Sequence, residues 1–186
     1  MRRVIIGGLV FGLCVIVPVS ANAQAPVPHT ESTAIGLDVG AVVPSSDQGD
    51  QLDNAPVING LIEYYLTPRV SLRGAAGWSQ PSLKGSSIDK VREIPIRLDV
   101  HYNWERGKWH PFIGTGFSAY FTQYKRRGEP LGDSDTKLGV NAGGGIEYFL
   151  NRTVAVKSEG NYHKIGDLGR IDPSGVSLTA GLKTYF

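Results

Sequence analysis

Apolar and polar residues alternate along most of this chain from residue 33 onward. Between Thr33 and Val43 the odd positions are apolar, whereas the even positions include Gly36, Asp38 and Gly40. A period of two is typical of a β-strand whose two faces meet different surroundings. Seven further segments repeat this pattern, so the sequence predicts eight strands and no helix. The predicted strands cover residues 33–43, 58–66, 70–79, 93–104, 109–121, 137–150, 154–163 and 176–186.

The connections between these strands alternate in length. Short links follow the second, fourth and sixth strands, whereas longer polar links lie near residues 44–55, 80–90, 122–136 and 165–174. In an antiparallel arrangement this places the short turns at one end of the sheet and the long loops at the other.

The first 23 residues have the pattern of a secretory signal peptide. Arg2 and Arg3 precede a largely apolar stretch from Val4 to Val19, and Ala21-Asn22-Ala23 fits an A-x-A cleavage site. The predicted organisation is a signal peptide at 1–23, a polar tether at 24–32 and a β domain at 33–186.

Composition changes once this segment is set aside. The full chain has 19 basic and 17 acidic residues, and loss of Arg2 and Arg3 leaves 17 of each. A neutral chain lacks the basic excess expected of a nucleic-acid binder. Cys14 leaves with the signal, so the exported protein has no thiol, and the bulky Leu13 before it argues against a lipoprotein site.

Alternation alone fits two kinds of barrel. A soluble lipocalin-like barrel and a membrane barrel share the pattern, but their apolar and polar faces are exchanged. Aromatic residues on the apolar face favour the membrane barrel, since they cluster at strand ends as two girdles would. The girdle at the short turns contains Tyr64, Trp104, Trp109 and Tyr148, and the girdle at the long loops contains Trp78, Phe121 and Tyr162. The strands also reach the ~9–11 residues needed to cross a bilayer.

The other face carries charges of both signs and is predicted to line the lumen. An eight-stranded barrel has little interior space, so long charged side chains there need partners. The pairing implied by the first short turn places Glu63 opposite Arg73. The predicted lumen charge network consists of Asp38, Glu63, Arg73, Arg97, Asp99, Glu147, Lys157, Glu159 and Lys183.

Across the second short turn, pairing Trp104 with Trp109 predicts that Arg97 faces Gly116. Asp99 is then expected to face Gly114, with space beside both charges. We therefore predict a paired and plugged interior, not an open pore. The last strand is expected to pair with the first, because an open edge in lipid would leave backbone groups without hydrogen bonds.

Three segments are informative together: IPIRLDVHYNWERGKWHPFIGTGFSAYF at 94–121, LGVNAGGGIEYFLNRTVAVKSEGNYH at 138–163 and the ending VSLTAGLKTYF. They resemble the small OmpA/OmpX-type β-barrel family of bacterial outer membranes. The resemblance covers residues 33–186 and implies an eight-stranded antiparallel up-and-down transmembrane barrel in the outer membrane. It also implies that Phe186 acts as the aromatic signal read by the outer-membrane barrel assembly machinery. Members of this family have widely different roles on one scaffold, so the resemblance predicts fold and location but is a weak guide to function.

Candidate chemistry is sparse. His101, His110 and His163 are expected in the lumen, where a hydrogen-bonded filler role is favoured over catalysis or metal binding. Asp47, Asp50 and Asp53 do not match the spacing of a calcium loop. Gly143-Gly144-Gly145 is not followed by a phosphate-binding helix and is interpreted as a source of strand curvature or lumen space.

A basic run follows the fifth predicted strand. Lys125, Arg126 and Arg127 lie just beyond Phe121, at the level expected for lipopolysaccharide phosphates, and contact with these phosphates is weighed against a plain solubilising loop.

The sequence therefore favours a non-enzymatic outer-membrane protein with a structural or surface-interaction role through its extracellular loops. A narrow channel and a lipid-modifying barrel enzyme are the alternatives. No catalytic residue, cofactor or metal site is predicted. The expected partners are outer-membrane lipids and lipopolysaccharide, the barrel assembly machinery and an extracellular ligand of unknown identity, with no nucleic acid.

Overall fold

The structure is a computed structural model that describes residues 28–44, 53–82, 89–126, 129–130, 134–165 and 174–186. The predicted signal peptide, most of the tether, Asp47 and Asp50 lie outside these residues. The strands are β1 (Thr33–Pro44), β2 (Ala55–Tyr65), β3 (Val70–Ser79), β4 (Asp89–Asn103), β5 (Trp109–Arg126), β6 (Glu129–Pro130), β7 (Asp135–Phe149), β8 (Val154–Ile165) and β9 (Gly175–Tyr185).

Eight of these strands form a closed antiparallel barrel in the order β4-β3-β2-β1-β9-β8-β7-β5, with β5 pairing back to β4. Closure between β9 and β1 extends from Ala34 opposite Tyr185 to Pro44 opposite Gly175. The two-residue β6 pairs only with the end of β5, outside the ring. The prediction of an eight-stranded all-β barrel is confirmed. No helix in the described ranges is long and apolar enough to cross a membrane.

The first short turn has the predicted register, with Glu63 opposite Arg73. The predicted register of the second short turn is wrong by two residues: Arg97 faces Ser118, and Asp99 faces Gly116. The cause is a tighter turn than expected at the end of this hairpin.

That turn is built around Gly107, whose φ of 64° lies in the left-handed region that glycine enters without steric cost. Arg106 therefore bridges to Trp109, and the Trp104 N–H donates to the Pro111 carbonyl over 2.9 Å. A shift of two residues changes each side chain's partner but not its face, so the assignment of lumen and outer wall is unaffected.

The two walls of the barrel have opposite character. Along β2 every second residue is buried, and the residues between them are exposed. Leu98 on the outer wall is 63% exposed and Leu138 is 75% exposed, whereas Arg73 inside the barrel is 0% exposed. A lipocalin-like barrel would place these apolar residues in its interior, so the structure has the faces of a membrane barrel.

Aromatic side chains lie near both ends of the outer wall. At the short-turn end the rings of Trp109 and Tyr148 are 4.6 Å apart, and those of Tyr102 and Trp104 are 5.0 Å apart. The other predicted girdle residues are also exposed on this wall, namely Tyr64, Trp78, Phe121 and Tyr162. Between the two ends the wall is mainly aliphatic, as in a band that contacts lipid chains.

Candidate functional site

The lumen is closed at the short-turn end by a buried cluster, here called the plug. Its members are Ala34, Tyr65, Phe149, Ala155 and Tyr185. The Tyr185 ring lies 5.0 Å from the Phe149 ring and 5.9 Å from the Tyr65 ring. The Tyr185 hydroxyl also donates to Glu147, which joins the plug to the charges above it. Sequence reasoning did not identify these residues, although their inward positions follow from the alternation.

Directly above the plug, five strands contribute charges that meet inside the lumen. The Lys183 Nζ lies 2.7 Å from the Glu63 Oε2 and 2.6 Å from the Glu147 Oε1. The Arg73 Nε donates to the Glu63 Oε2 over 2.9 Å. The Arg73 Nη1 donates to the Glu159 Oε2 over 2.7 Å. One arginine therefore links two carboxylates from different walls.

Lys157 extends this lumen charge network toward β1. Its Nζ donates to the Asp38 Oδ2 over 2.6 Å and to the Glu159 Oε2 over 2.8 Å. Ser71 adds a neutral donor, because its hydroxyl lies 2.5 Å from the Glu63 Oε1. Seven of the nine predicted charges are thus connected by short contacts.

Burial makes this connectivity energetically necessary. Arg73, Lys183 and Glu63 are each 0% exposed. A buried charge is tolerated only when it is paired and hydrogen-bonded, and removal of one partner from a buried pair costs about 3–5 kcal/mol. The network therefore ties β1, β2, β3, β7, β8 and β9 together across the lumen.

Arg97 and Asp99 lie higher in the lumen and are less tightly paired. The Arg97 Nη1 is 3.8 Å from the Glu159 Oε1. Within the described residues neither Asp99 oxygen accepts a hydrogen bond that satisfies normal geometry. A Cβ on Gly116 would lie 2.4 Å from the Asp99 Oδ1, so the glycine provides the space for this carboxylate.

A small cavity of about 30 Å³ lies between Arg97 and the long-connection end. Glu93, Tyr120 and His163 line it together with Asn59, and all four are buried. This volume holds at most a few water molecules. The predicted lumen charge network does not include Glu93, whose register partners are the uncharged Ser79 and Thr122.

The three lumen histidines pack against aromatic rings. His101 stacks on Phe112 with ring centroids 5.3 Å apart, and His110 lies 4.6 Å from Phe149. His163 lies 5.9 Å from Tyr120. In the described ranges no group of three or more His, Cys, Asp or Glu side chains is arranged to hold a metal ion.

Of the acidic residues Asp47, Asp50 and Asp53, which do not match a calcium loop, only Asp53 is among the described residues. The Asp53 N–H donates to the Ser82 carbonyl over 2.9 Å, which ties two neighbouring long connections together. In the glycine triplet, a Cβ on Gly145 would lie 2.1 Å from the Ser158 carbonyl and 2.7 Å from the Phe112 ring. Gly145 therefore allows close packing inside the lumen.

The chain matches the model of the outer membrane protein beta-barrel domain family over residues 11–186. It belongs to this family. Comparison with curated protein sequences gives no match.

Several solved outer-membrane barrels share the fold. Neisserial surface protein A has a TM-score of 0.68 at 16% identity, covering 83% of this chain and 97% of that protein. OprG of Pseudomonas aeruginosa has a TM-score of 0.68 at 13% identity, covering 85% of this chain and 97% of that protein. Ail, the attachment invasion locus protein of Yersinia pestis, has a TM-score of 0.58 at 13% identity, covering 84% of this chain and 99% of that protein. At these identities the likeness establishes the fold.

In a barrel of this family the long connections are extracellular and the short turns are periplasmic. Lys125 lies at the long-connection end of β5, beyond Phe121 on the outer wall. Arg126 is the last residue of β5, but its side chain and the whole of Arg127 lie outside the described residues. Phe186 is 40% exposed at the periplasmic end, where its backbone pairs with Thr33.

Proposed function

We propose that this chain is a non-enzymatic protein of the bacterial outer membrane whose rigid barrel presents its extracellular loops for a structural or surface-interaction role. The observation that carries the proposal is the closed lumen. The plug fills the periplasmic end, and Arg73 with Lys183 draws carboxylates to the axis above it. A barrel whose described lumen is occupied by side chains in this way has its loops and its lipid-facing wall as interaction surfaces.

The family, the aliphatic outer wall and the outer-membrane neighbours support the cellular location. Residues 1–23 supply the export signal in this proposal, and Phe186 is the residue that the barrel assembly machinery reads. Outer-membrane lipids surround the barrel, with Lys125, Arg126 and Arg127 at the level of lipopolysaccharide phosphates.

The neighbours also support an interaction role for the loops. Ail is an attachment invasion locus protein by name and has been solved in complex with the heparin analogue sucrose octasulfate. A barrel with this fold therefore carries a surface that accepts a sulfated sugar. The proposal gives the loops of the present chain an extracellular ligand without naming it. Nucleic acid is not expected as a partner.

Membrane fractionation with heat-modifiability on a detergent gel tests the location. We expect the protein in the outer-membrane fraction, with a different mobility before and after boiling, because the closed barrel resists detergent until heated. A protein recovered in the soluble periplasm with no mobility shift would overturn the proposal.

Planar-bilayer recording separates this role from that of a channel. Because the plug and the network occupy the lumen, the purified barrel is expected to show no stepwise ion conductance. Stable conductance that disappears when the lumen is occluded would establish the channel instead. Turnover of lipid A or phospholipid by the purified protein would establish a lipid-modifying enzyme instead.

A further inference from the structure

Three cations form a compact patch on the outer wall at the extracellular ends of β4 and β5, here called the basic patch. It consists of Lys90, Arg92 and Lys125. Lys90 is exposed, and the other two are half-buried. On β4 they alternate with the buried Val91 and Glu93, so their side chains belong to the face that also carries Leu98. The sequence pattern had singled out only Lys125, because Lys90 and Arg92 are more than thirty residues away in the chain.

The basic patch follows directly on the apolar band. Ile94 and Phe121 are register partners at the edge of this band, and the next pairs outward bring Arg92 opposite Gln123 and Lys90 opposite Lys125. With a rise of about 3.3 Å per residue along a tilted strand, the cations lie roughly 5–10 Å beyond this edge. That depth is occupied by lipid head groups in a bilayer.

The cations of the basic patch have no acidic partners in the described part of the chain. Lys90 and Lys125 are directly opposite one another, an arrangement in which Cβ atoms are about 5 Å apart and like charges repel. The Arg92 Nε is buried and has no hydrogen-bond acceptor among the described residues. The nearest lumen acid, Glu93, belongs to the opposite face of β4.

We propose that the basic patch binds the phosphate group of a phosphorylated glycolipid in the outer leaflet. A phosphate between Lys90 and Lys125 would relieve their repulsion, and its oxygens would accept from the Arg92 guanidinium, which forms strong charge-assisted bonds with phosphate. The acyl chains of the same lipid would lie along Ile94 and Phe121. Continuity between the cations and the apolar band selects a membrane lipid over a soluble anion. The inference rests on the proposed outer-membrane location and specifies one lipid contact within it.

The test uses the purified full-length mature barrel in phosphatidylcholine nanodiscs that contain lipid A with its phosphates or the same lipid A after enzymatic dephosphorylation. Native mass spectrometry measures the lipid A that remains bound. We expect the wild type to retain the phosphorylated form about tenfold more than the dephosphorylated form. The triple variant Lys90→Gln, Arg92→Gln, Lys125→Gln is expected to retain both forms equally.

Lys164→Gln is the matched control, because Lys164 is a single exposed cation on the outer face of β8, which is two strands from β5 and three from β4. It is expected to retain phosphorylated lipid A like the wild type. Heat-modifiable mobility of each variant shows that the barrel is folded and tests the outer-membrane fold separately. If the folded triple variant binds phosphorylated lipid A as the wild type does, or if the wild type does not distinguish the two lipids, the basic patch is not a phosphate site.

Discussion

Arg73 and Glu159 lie on opposite walls of the barrel, and their side chains meet across the lumen. Arg73 is on β3 and Glu159 is on β8, four positions apart in the ring of eight strands, yet the Nη1 to Oε2 distance is 2.7 Å. This contact spans the full width of the interior. Together with the plug, this contact fills the polar interior of the barrel with side chains.

Arg73→Met is expected to lower the free energy of unfolding by about 3–5 kcal/mol, because Glu63 and Glu159 each lose a buried partner. Urea titration of the folded barrel in lipid vesicles measures the change. Arg152→Met, on the exposed short turn between β7 and β8, is the control and should change stability by less than about 0.5 kcal/mol. Adding Glu159→Gln to Arg73→Met should recover part of the loss, and a further loss of the same size would contradict the pairing.

Phe149→Ala is expected to cost about 3–5 kcal/mol, because it leaves a cavity inside the plug that the neighbouring rings cannot fill. The same substitution at Phe117, which is 72% exposed on the outer wall, should cost less because lipid chains occupy the vacated space. Vesicle unfolding curves compare the two variants. Equal losses would show that Phe149 is not a packing residue of the plug.

Weakening the plug at Phe149 is not expected to open the barrel. The Lys183 and Arg73 contacts lie above Phe149 and still cross the lumen in Phe149→Ala. Planar-bilayer recordings of this variant should therefore show no stepwise conductance, like the wild type. Conductance in the single variant would mean that the plug is the sole barrier and that the lumen charge network is permeable.

Gly181→Ala is expected to destabilise the barrel by about 1–3 kcal/mol through overpacking. A Cβ at this position would lie 2.1 Å from the Leu37 carbonyl and 2.4 Å from the Asp38 Oδ1, close to a buried ion pair. Gly60→Ala is the matched control, because a Cβ there meets no atom within 4 Å. Gly60→Ala should be neutral or slightly stabilising, and similar losses at both glycines would argue against this account of Gly181.

Gly107→Ala is expected to cost about 1–2 kcal/mol, because an L-residue must adopt the left-handed φ of 64° in this turn. Gly107→Asn should cost less, since asparagine tolerates this conformation better than alanine. Unfolding measurements on both variants give the ranking. An alanine variant as stable as the wild type would show that the turn does not require a positive φ.

Much of the fold followed from local pattern. Alternation with a period of two assigned Trp78 and Phe121 to the outer wall and Glu63 and Arg73 to the lumen, because strand side chains point to alternate faces whatever the strand pairs with. The aromatic positions indicated which face meets lipid. The first short turn also set a local register, and Glu63 therefore faces Arg73 as predicted.

Other features depended on closure of the barrel and lay beyond any local pattern. The second hairpin was predicted two residues out of register because the left-handed Gly107 tightens its turn. Contact between Arg73 and Glu159, and between the rings of the plug, arises only when strands distant in sequence are curved around one axis. The basic patch likewise needs β4 and β5 paired along their full length. Sequence by itself determined which residues face inward, since that is a property of each strand, whereas the tertiary structure decided which of them meet, since that is a property of the closed ring.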